Sequence, residues 1–145
     1  MPVSHISLAT GAAHFARMRA FYLEALAPLN YVTYFDQANF MLGLKPAGKF
    51  PDFWIHVGNG EQEAFPAADG DGDVSRRPGR THVAFDAESQ DVVDKWYAAA
   101  IKAGGVCNGK PGLRTEFSES YYAAFVLDPL GNNIEAVHYK PTKPW

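Results

Sequence analysis

Hydrophobic and polar positions follow the same order of patterns twice along this chain. In the first half, residues 3–9 alternate with a period of two, which predicts a half-buried strand. Apolar residues then recur at helical spacing over 14–26, and strand-like runs follow at 31–35, 40–44 and 53–57. The first half is therefore predicted to form a strand, a helix and three further strands.

The pattern begins again after residue 80. Residues 81–86 predict a strand, and the apolar stripe over 87–103 predicts a helix. Ser89 is a candidate N-cap for that helix, and Gly104-Gly105 would end it. The remaining predicted elements are a short strand at 106–107, a loop at 108–117, and a hairpin with strands at 122–127 and 134–138.

The hairpin contains the least expected residue of the chain. Its turn, 128–132, has the sequence DPLGN, in which Pro presets φ while Gly and Asn tolerate positive φ. In the strand that follows, Glu135 stands between Ile134 and Ala136. A carboxylate in an apolar strand is costly unless a charged group meets it, so Glu135 predicts a partner.

Local identities indicate that the two halves are an internal repeat. SHISL at 4–8 matches THVAF at 81–85, so that His5 and His82 occupy the same point of two first strands. We therefore predict an α+β fold made of two βαβββ modules related by a pseudo-twofold axis. Module one covers about 1–60 and module two about 80–140, joined by a connecting loop at about 59–80 within a single domain.

The repeat brings together a candidate metal site. His5, His82 and Glu135 would converge on one concave face, and two imidazoles with one carboxylate are a facial-triad ligand set for a divalent cation. Two other interpretations stay open, namely histidines that belong to the core and a Glu135 that pairs with an arginine. The first-module counterpart of Glu135 falls near Trp54 and His56. If His56 faces the site, it is a fourth ligand or a catalytic base.

Composition narrows the class of partner. The chain has 145 residues, 47% hydrophobic and 20% charged, with a net charge of −3, which disfavours nucleic acid and anionic membranes as partners. No apolar run is long enough to span a membrane, and residues 1–10 lack a signal-peptide pattern. The single cysteine, Cys107, suits a reducing compartment, so we expect a cytoplasmic protein.

The acidic stretch at 69–73, DGDGD, suggests a calcium loop but departs from it. Val74 stands where the loop requires glycine, and Arg80 stands at the twelfth position in place of glutamate. We therefore predict a solvated surface connection over 59–80.

Three segments resemble the vicinal oxygen chelate superfamily, which includes glyoxalase I, extradiol dioxygenases, and fosfomycin and bleomycin resistance proteins. The resemblance covers nearly the whole chain and is strongest in THVAF, in AAAIKAGG at 98–105, and in YYAAFVLDPLGNNIEAVH at 121–138. The last segment is similar to the closing D-P-x-G-N-x-I-E motif of that superfamily. FW at 53–54 and PGLR at 111–114 recur in a glyoxalase-like subgroup.

The resemblance implies that the paired modules form a U-shaped mixed sheet around a central cup. It also implies that His5, His82 and Glu135 bind a divalent metal ion, with Zn, Ni, Mn, Fe and Mg as the candidates. The first-module carboxylate of glyoxalase I has no counterpart, because Trp54 or His56 stands there. The expected function is a metal-dependent lyase or isomerase that acts on a small oxygenated substrate.

Alternatives to that function are an extradiol-type dioxygenase, a metal-independent enzyme, and a drug-sequestering binding protein like those for bleomycin. In each case a small molecule is the expected ligand. Glu135 and His56 are the predicted catalytic residues. Trp54, Arg114 and Tyr122 are predicted to bind the substrate. Tyr121 and Tyr122 are neighbours in a strand and face opposite ways, so only one of these two tyrosines can line the cup. An open sheet leaves apolar surface that a second copy would cover, so a homodimer is also expected.

Overall fold

The two halves of the chain fold into two modules with the same order of elements. The computed structural model describes residues 3–58 and 81–140, and the predicted connecting loop with its acidic stretch lies outside these residues. The first module consists of β1 (Ile6–Thr10), α1 (Phe15–Ala25), β2 (Tyr31–Gln37), β3 (Met41–Pro46) and β4 (Phe53–Val57). The second consists of β5 (His82–Asp86), α2 (Gln90–Lys102), β6 (Val106–Leu113), β7 (Tyr122–Leu127) and β8 (Asn133–His138).

Each module has its own four-stranded mixed sheet. Sheet A has the order β1-β4-β3-β2, and sheet B has the matching order β5-β8-β7-β6. In both sheets the first and last strands are parallel and the other pairs are antiparallel. The prediction of an α+β fold with two βαβββ modules is confirmed. Strands β1 and β2 are the edges of sheet A, and β5 and β6 are the edges of sheet B.

The helices form where the apolar spacing predicts them. Phe15, Met18, Phe21 and Tyr22 are all buried along one side of α1. Ser89 caps α2, because its Oγ accepts a hydrogen bond from the Val92 amide at 3.3 Å. Within residues 3–58 and 81–140, no helix is long and apolar enough to cross a lipid bilayer.

Strand β6 differs from the sequence prediction. Residues 108–117 are expected to form a loop, yet β6 continues to Leu113 and pairs with β7, with register irregularities on both sides of Gly109. A Cβ at Gly109 would approach the Phe125 ring to 2.9 Å. Pairing with β7 thus overrides the weak strand propensity of a segment rich in Gly and Pro.

The modules pack through the sides of their sheets that carry the helices. The Phe85 ring in β5 lies 5.3 Å from Phe53 in β4 and 5.4 Å from Tyr31 in β2. Strand β2 is the edge of sheet A farthest from β1. If β5 lay beside β1 in a continuous sheet, roughly 19 Å would separate it from β2. The two sheets are therefore stacked with their helix-bearing sides facing each other, rather than joined edge to edge.

A buried polar cluster also joins the modules. The Tyr22 hydroxyl on α1 donates to Asp128 Oδ2 at 2.6 Å, and Asn132 Nδ2 donates to the same oxygen at 2.7 Å. The amides of Leu130 and Asn132 each donate to Asp128 Oδ1 at 2.9 Å. Burial raises the pKa of the Asp128 carboxyl, while the hydrogen bonds from Tyr22 and Asn132 oppose that shift. The hairpin turn therefore fastens module two to the helix of module one.

Candidate functional site

The face of each sheet away from the helices carries the candidate chemistry, and we call it the open face. Backbone alternation and cross-strand register place Ser7, Trp54 and His56 on the open face of sheet A. The same reasoning places His82 and Glu135 on the open face of sheet B. Since the helix-bearing sides face each other, the two open faces of one chain point in opposite directions. The central cup is thus not closed within the described part of a single chain.

His82 and Glu135 form a close pair on sheet B. His82 Nε2 lies 3.1 Å from Glu135 Oε2, and the His82 side chain is half exposed while that of Glu135 is 4% exposed. Parallel pairing of β5 with β8 produces this contact, because His82 pairs with Asn133 and Ala84 with Glu135. Within one chain, the imidazole of His82 is the basic group that lies beside Glu135.

Asparagines on the far side of the ring set the orientation of His82. His82 Nδ1 lies 2.9 Å from Asn133 Nδ2 and 3.1 Å from the Asn133 carbonyl oxygen. Asn108 Nδ2 in turn donates to Asn133 Oδ1 at 3.0 Å. The Asn133 amide can donate to Nδ1 only when the ring proton is on Nε2, which then donates to Glu135 Oε2. For Nε2 to bind a cation the proton must move to Nδ1, where it would donate to the Asn133 carbonyl once the Asn133 amide turns away. Sequence reasoning did not single out Asn133. The feature that could have indicated it is the pair of asparagines after Gly131, of which Asn132 belongs to the superfamily motif and Asn133 does not.

Tyr121, not Tyr122, is the tyrosine that contacts Glu135. The Tyr121 hydroxyl donates to Glu135 Oε1 at 2.7 Å, and burial together with this hydrogen bond raises the pKa of Tyr121. The Tyr122 hydroxyl instead donates to Asp94 on α2 at 2.8 Å. The structure therefore places Tyr122 on the helix-bearing side, and the open-face position that was predicted for it belongs to Tyr121.

The spacing of His82 Nε2 and Glu135 Oε2 fits two neighbouring ligands of one divalent cation. Metal–ligand bonds of about 2.1 Å separate adjacent donor atoms by roughly 3.0 Å at octahedral angles and 3.4 Å at tetrahedral angles. The observed 3.1 Å lies in that interval. Among residues 3–58 and 81–140, however, no three His, Cys, Asp or Glu side chains are grouped to hold a metal ion. One chain thus brings together two of the three predicted ligands.

The predicted ligands of module one lie on sheet A. His5 directly precedes β1, is exposed, and has its Nδ1 2.9 Å from Ser4 Oγ. His56 Nδ1 lies 2.6 Å from Ser7 Oγ across the β1–β4 pair. Both imidazoles are thus on the sheet opposite to the one that carries His82 and Glu135, and neither joins that pair within the chain.

Strand register decides which first-module residue corresponds to Glu135. Ser7 pairs with Trp54 in sheet A, as the repeat-equivalent Ala84 pairs with Glu135 in sheet B. Trp54 therefore occupies the position of Glu135, and His56 lies two residues beyond it. The Trp54 ring covers Gly43, where any added Cβ would overlap with the indole.

Aromatic side chains extend the open face of sheet A around Trp54. The Tyr34 ring lies 6.0 Å and the Phe35 ring 6.4 Å from that of Trp54. Tyr34 and Phe35 remain exposed, and Lys45 Nζ lies 5.7 Å from the centre of the Tyr34 ring. This apolar, cationic wall could receive a planar or anionic small molecule.

Arg114 lies over the open face of sheet B. Its guanidinium is 5.6 Å from the centre of the Phe125 ring and donates to the Lys110 and Leu113 carbonyls at 2.7 Å and 3.3 Å. Phe125 pairs with Glu135 across β7 and β8. Arg114 is thus on the face predicted for substrate binding, held by backbone contacts.

One protein-family model matches nearly the whole described chain. The family model of the Glyoxalase/Bleomycin resistance protein/Dioxygenase superfamily matches residues 3–136. The chain belongs to this superfamily. The resemblance seen in the sequence is confirmed. No match of significance is found among curated proteins.

Solved structures of other glyoxalase-like proteins share the fold. A glyoxalase/bleomycin resistance protein from Albidiferax ferrireducens is 22% identical, with a TM-score of 0.67 over 97% of this chain and 100% of its own. A glyoxalase-related enzyme from Fulvimarina pelagi is 18% identical, with a TM-score of 0.65 over 99% and 91%. A lactoylglutathione lyase from Agrobacterium tumefaciens is 18% identical, with a TM-score of 0.58 over 94% and 95%. At these identities the likeness shows the fold alone.

Proposed function

We propose that this glyoxalase-like protein is a divalent-metal-dependent lyase or isomerase acting on a small oxygenated substrate. The observation that carries the proposal is the His82–Glu135 pair, with donor atoms 3.1 Å apart on an open face. A buried carboxylate whose neighbours are an imidazole and a phenol, with no guanidinium or ammonium bonded to it in the described residues, suits a cation.

The third ligand is supplied by a second copy of the chain. His5 holds the repeat position of His82, but it lies on the sheet that faces the other way. In a twofold-symmetric dimer, sheet A of one copy would cover sheet B of the other, and the reverse contact would form a second equal site. Exposed apolar side chains on or beside the sheets would be covered in that assembly. They include Tyr34 and Phe35 in module one and Phe117 in module two.

The chemistry follows from the ligand set. A divalent cation held there would act as a Lewis acid toward adjacent oxygens of the substrate. His56 is held by Ser7 on the open face of sheet A, which would meet the cation site across the dimer, and from there it could move a proton. Arg114 and the Trp54 wall would orient the substrate. Because Trp54 replaces a carboxylate at the first-module position, glutathione hemithioacetal isomerisation is not the reaction that we propose.

Metal content is the first test. Protein purified without added metal should hold about one cation per chain, and His82→Ala and Glu135→Ala should each lose it. Ser4→Ala, which removes only the hydroxyl beside His5, is a matched control that should retain the cation. Equal metal content in wild type and both ligand variants would overturn the metal assignment.

Complementation tests whether two copies share the site. His5→Ala and His82→Ala homodimers should each be empty. A purified heterodimer of the two variants would pair one unchanged sheet A with one unchanged sheet B, and should bind about one cation against two for a wild-type dimer. A site built within one chain would instead stay empty in the heterodimer.

The aromatic wall favours a second candidate, a binding protein that sequesters a planar small molecule. Such a protein would be stabilised by its ligand in the presence of a chelator. Thermal shifts with a panel of aromatic compounds, with and without chelator, separate the two. Stabilisation that disappears with chelator supports the enzyme, whereas stabilisation that persists supports sequestration.

A further inference from the structure

Both carboxylate oxygens of Glu135 have defined and different surroundings. Oε1 accepts a hydrogen bond from the Tyr121 hydroxyl at 2.7 Å, and Oε2 faces His82 Nε2 at 3.1 Å. Glu135 itself is 3% exposed, so water has little access to compete for either oxygen. The carboxylate is thus held in one orientation, with one oxygen directed toward the imidazole.

The Tyr121 ring is fixed by other aromatic side chains. The Tyr139 ring is stacked on it at 5.4 Å, and the Phe117 ring meets it at 5.3 Å with an interplanar angle of 62°. The Tyr121 backbone also bonds to Arg114 and Ser118, through its carbonyl at 2.7 Å and its amide at 3.1 Å. A hydroxyl on a ring held in this way keeps its direction when the carboxylate changes partner.

We propose that Tyr121 is a positioning residue that makes Glu135 a one-oxygen ligand. This inference rests on the proposed metal-dependent function. The phenol holds Oε1 on its own side, so Oε2 is the oxygen that lies beside His82 Nε2, at a spacing suited to adjacent ligands of one cation. A carboxylate that bound through both oxygens would use two coordination positions of the cation. Tyr121 thereby keeps a position open for the substrate oxygens.

Tyr121→Phe tests this inference, because it removes the hydroxyl and keeps the ring in its stack. Co²⁺ added to metal-free protein would report both affinity and coordination. We expect the Co²⁺ dissociation constant to rise by about tenfold to a hundredfold. We also expect weaker visible absorption, since an additional carboxylate oxygen raises the coordination number.

Tyr31→Phe is the matched control. It removes a hydroxyl that donates to Asp52 Oδ2 at 3.2 Å in module one, and it should leave the dissociation constant and spectrum unchanged. If Tyr121→Phe lowers only the melting temperature and leaves Co²⁺ binding within twofold of wild type, the hydroxyl merely satisfies a buried carboxylate and the inference is wrong. Equal weakening in both variants would also overturn it. Wild-type protein that binds no Co²⁺ would overturn the proposed function as well, which separates the two failures.

Discussion

The hydrogen bond between Tyr22 and Asp128 gives a direct test of how the modules pack. Tyr22 lies on α1 of module one and Asp128 in the hairpin turn of module two, and both are fully buried. An edge-to-edge arrangement of the sheets would not require this contact. Coupling between the two residues therefore reports the stacked arrangement in solution.

The expected change in the free energy of unfolding follows from the hydrogen bonds that each substitution removes. Tyr22→Phe removes one hydrogen bond to a buried carboxylate, which should lower the free energy of unfolding by about 1.5 to 3 kcal/mol. Asp128→Asn turns the shared acceptor Oδ2 into a donor facing Tyr22 and Asn132, at a cost of about 2 to 4 kcal/mol. In the double variant the Tyr22 hydroxyl is already absent, so the losses should fall short of additivity by roughly 1.5 kcal/mol.

Urea unfolding at a fixed protein concentration, followed by circular dichroism, measures all four corners of this double-mutant cycle. Tyr122→Phe is the matched control, because its hydroxyl bonds to Asp94 within module two and lies at the opposite end of β7 from Asp128. Combined with Asp128→Asn, it should be additive. A coupling below about 0.5 kcal/mol between Tyr22 and Asp128 would refute the stacked arrangement.

Other predictions concern the open faces and pH. Trp54→Glu places a carboxylate at the repeat position of Glu135, and isothermal titration should show cation affinity rising at least tenfold, with Trp54→Gln as the control. Gly43→Ala would push the Trp54 ring off sheet A, lowering the unfolding free energy by about 1 to 3 kcal/mol in urea unfolding and changing indole fluorescence. The raised pKa of Asp128 means that the folded state holds its proton to higher pH than the unfolded state, whose value is near 3.8. The stability that this residue contributes should be full below that value and decline as pH rises above it, a dependence that Asp128→Asn should lack in pH-dependent urea titrations.

The sequence predicts the modules and most elements because their signals are local. Helical spacing along 14–26 and alternation around His5 and His82 are properties of neighbouring residues, and tertiary contacts agree with them. The repeat also predicts that His5, His82 and Glu135 converge, but in the described part of one chain only His82 of the two histidines lies beside Glu135. Strand β6 was missed because its partner β7, rather than its own composition, makes it a strand.

The packing of one module on the other is not contained in such patterns. Periodicity shows that Phe85 is buried, but not that it is buried against Tyr31 on the far edge of sheet A. The cross-strand register is likewise needed to decide whether Trp54 or His56 is the first-module counterpart of Glu135. It is also needed to decide whether Tyr121 or Tyr122 lies on the open face beside Glu135. These are relations between strands, which a single strand's alternation leaves undetermined.

The stacked arrangement also has a consequence for the newly made chain. Strands β1 and β5 end their sheets, so in the described part of a lone copy each presents a row of backbone amides and carbonyls to water. Such rows are templates on which further strands can add. In the proposed dimer that shares the metal site, dissociation at low protein concentration would separate the ligands and leave lone copies with both of these edges unpaired. Loss of bound cation on dilution and a tendency to precipitate would then have one physical origin.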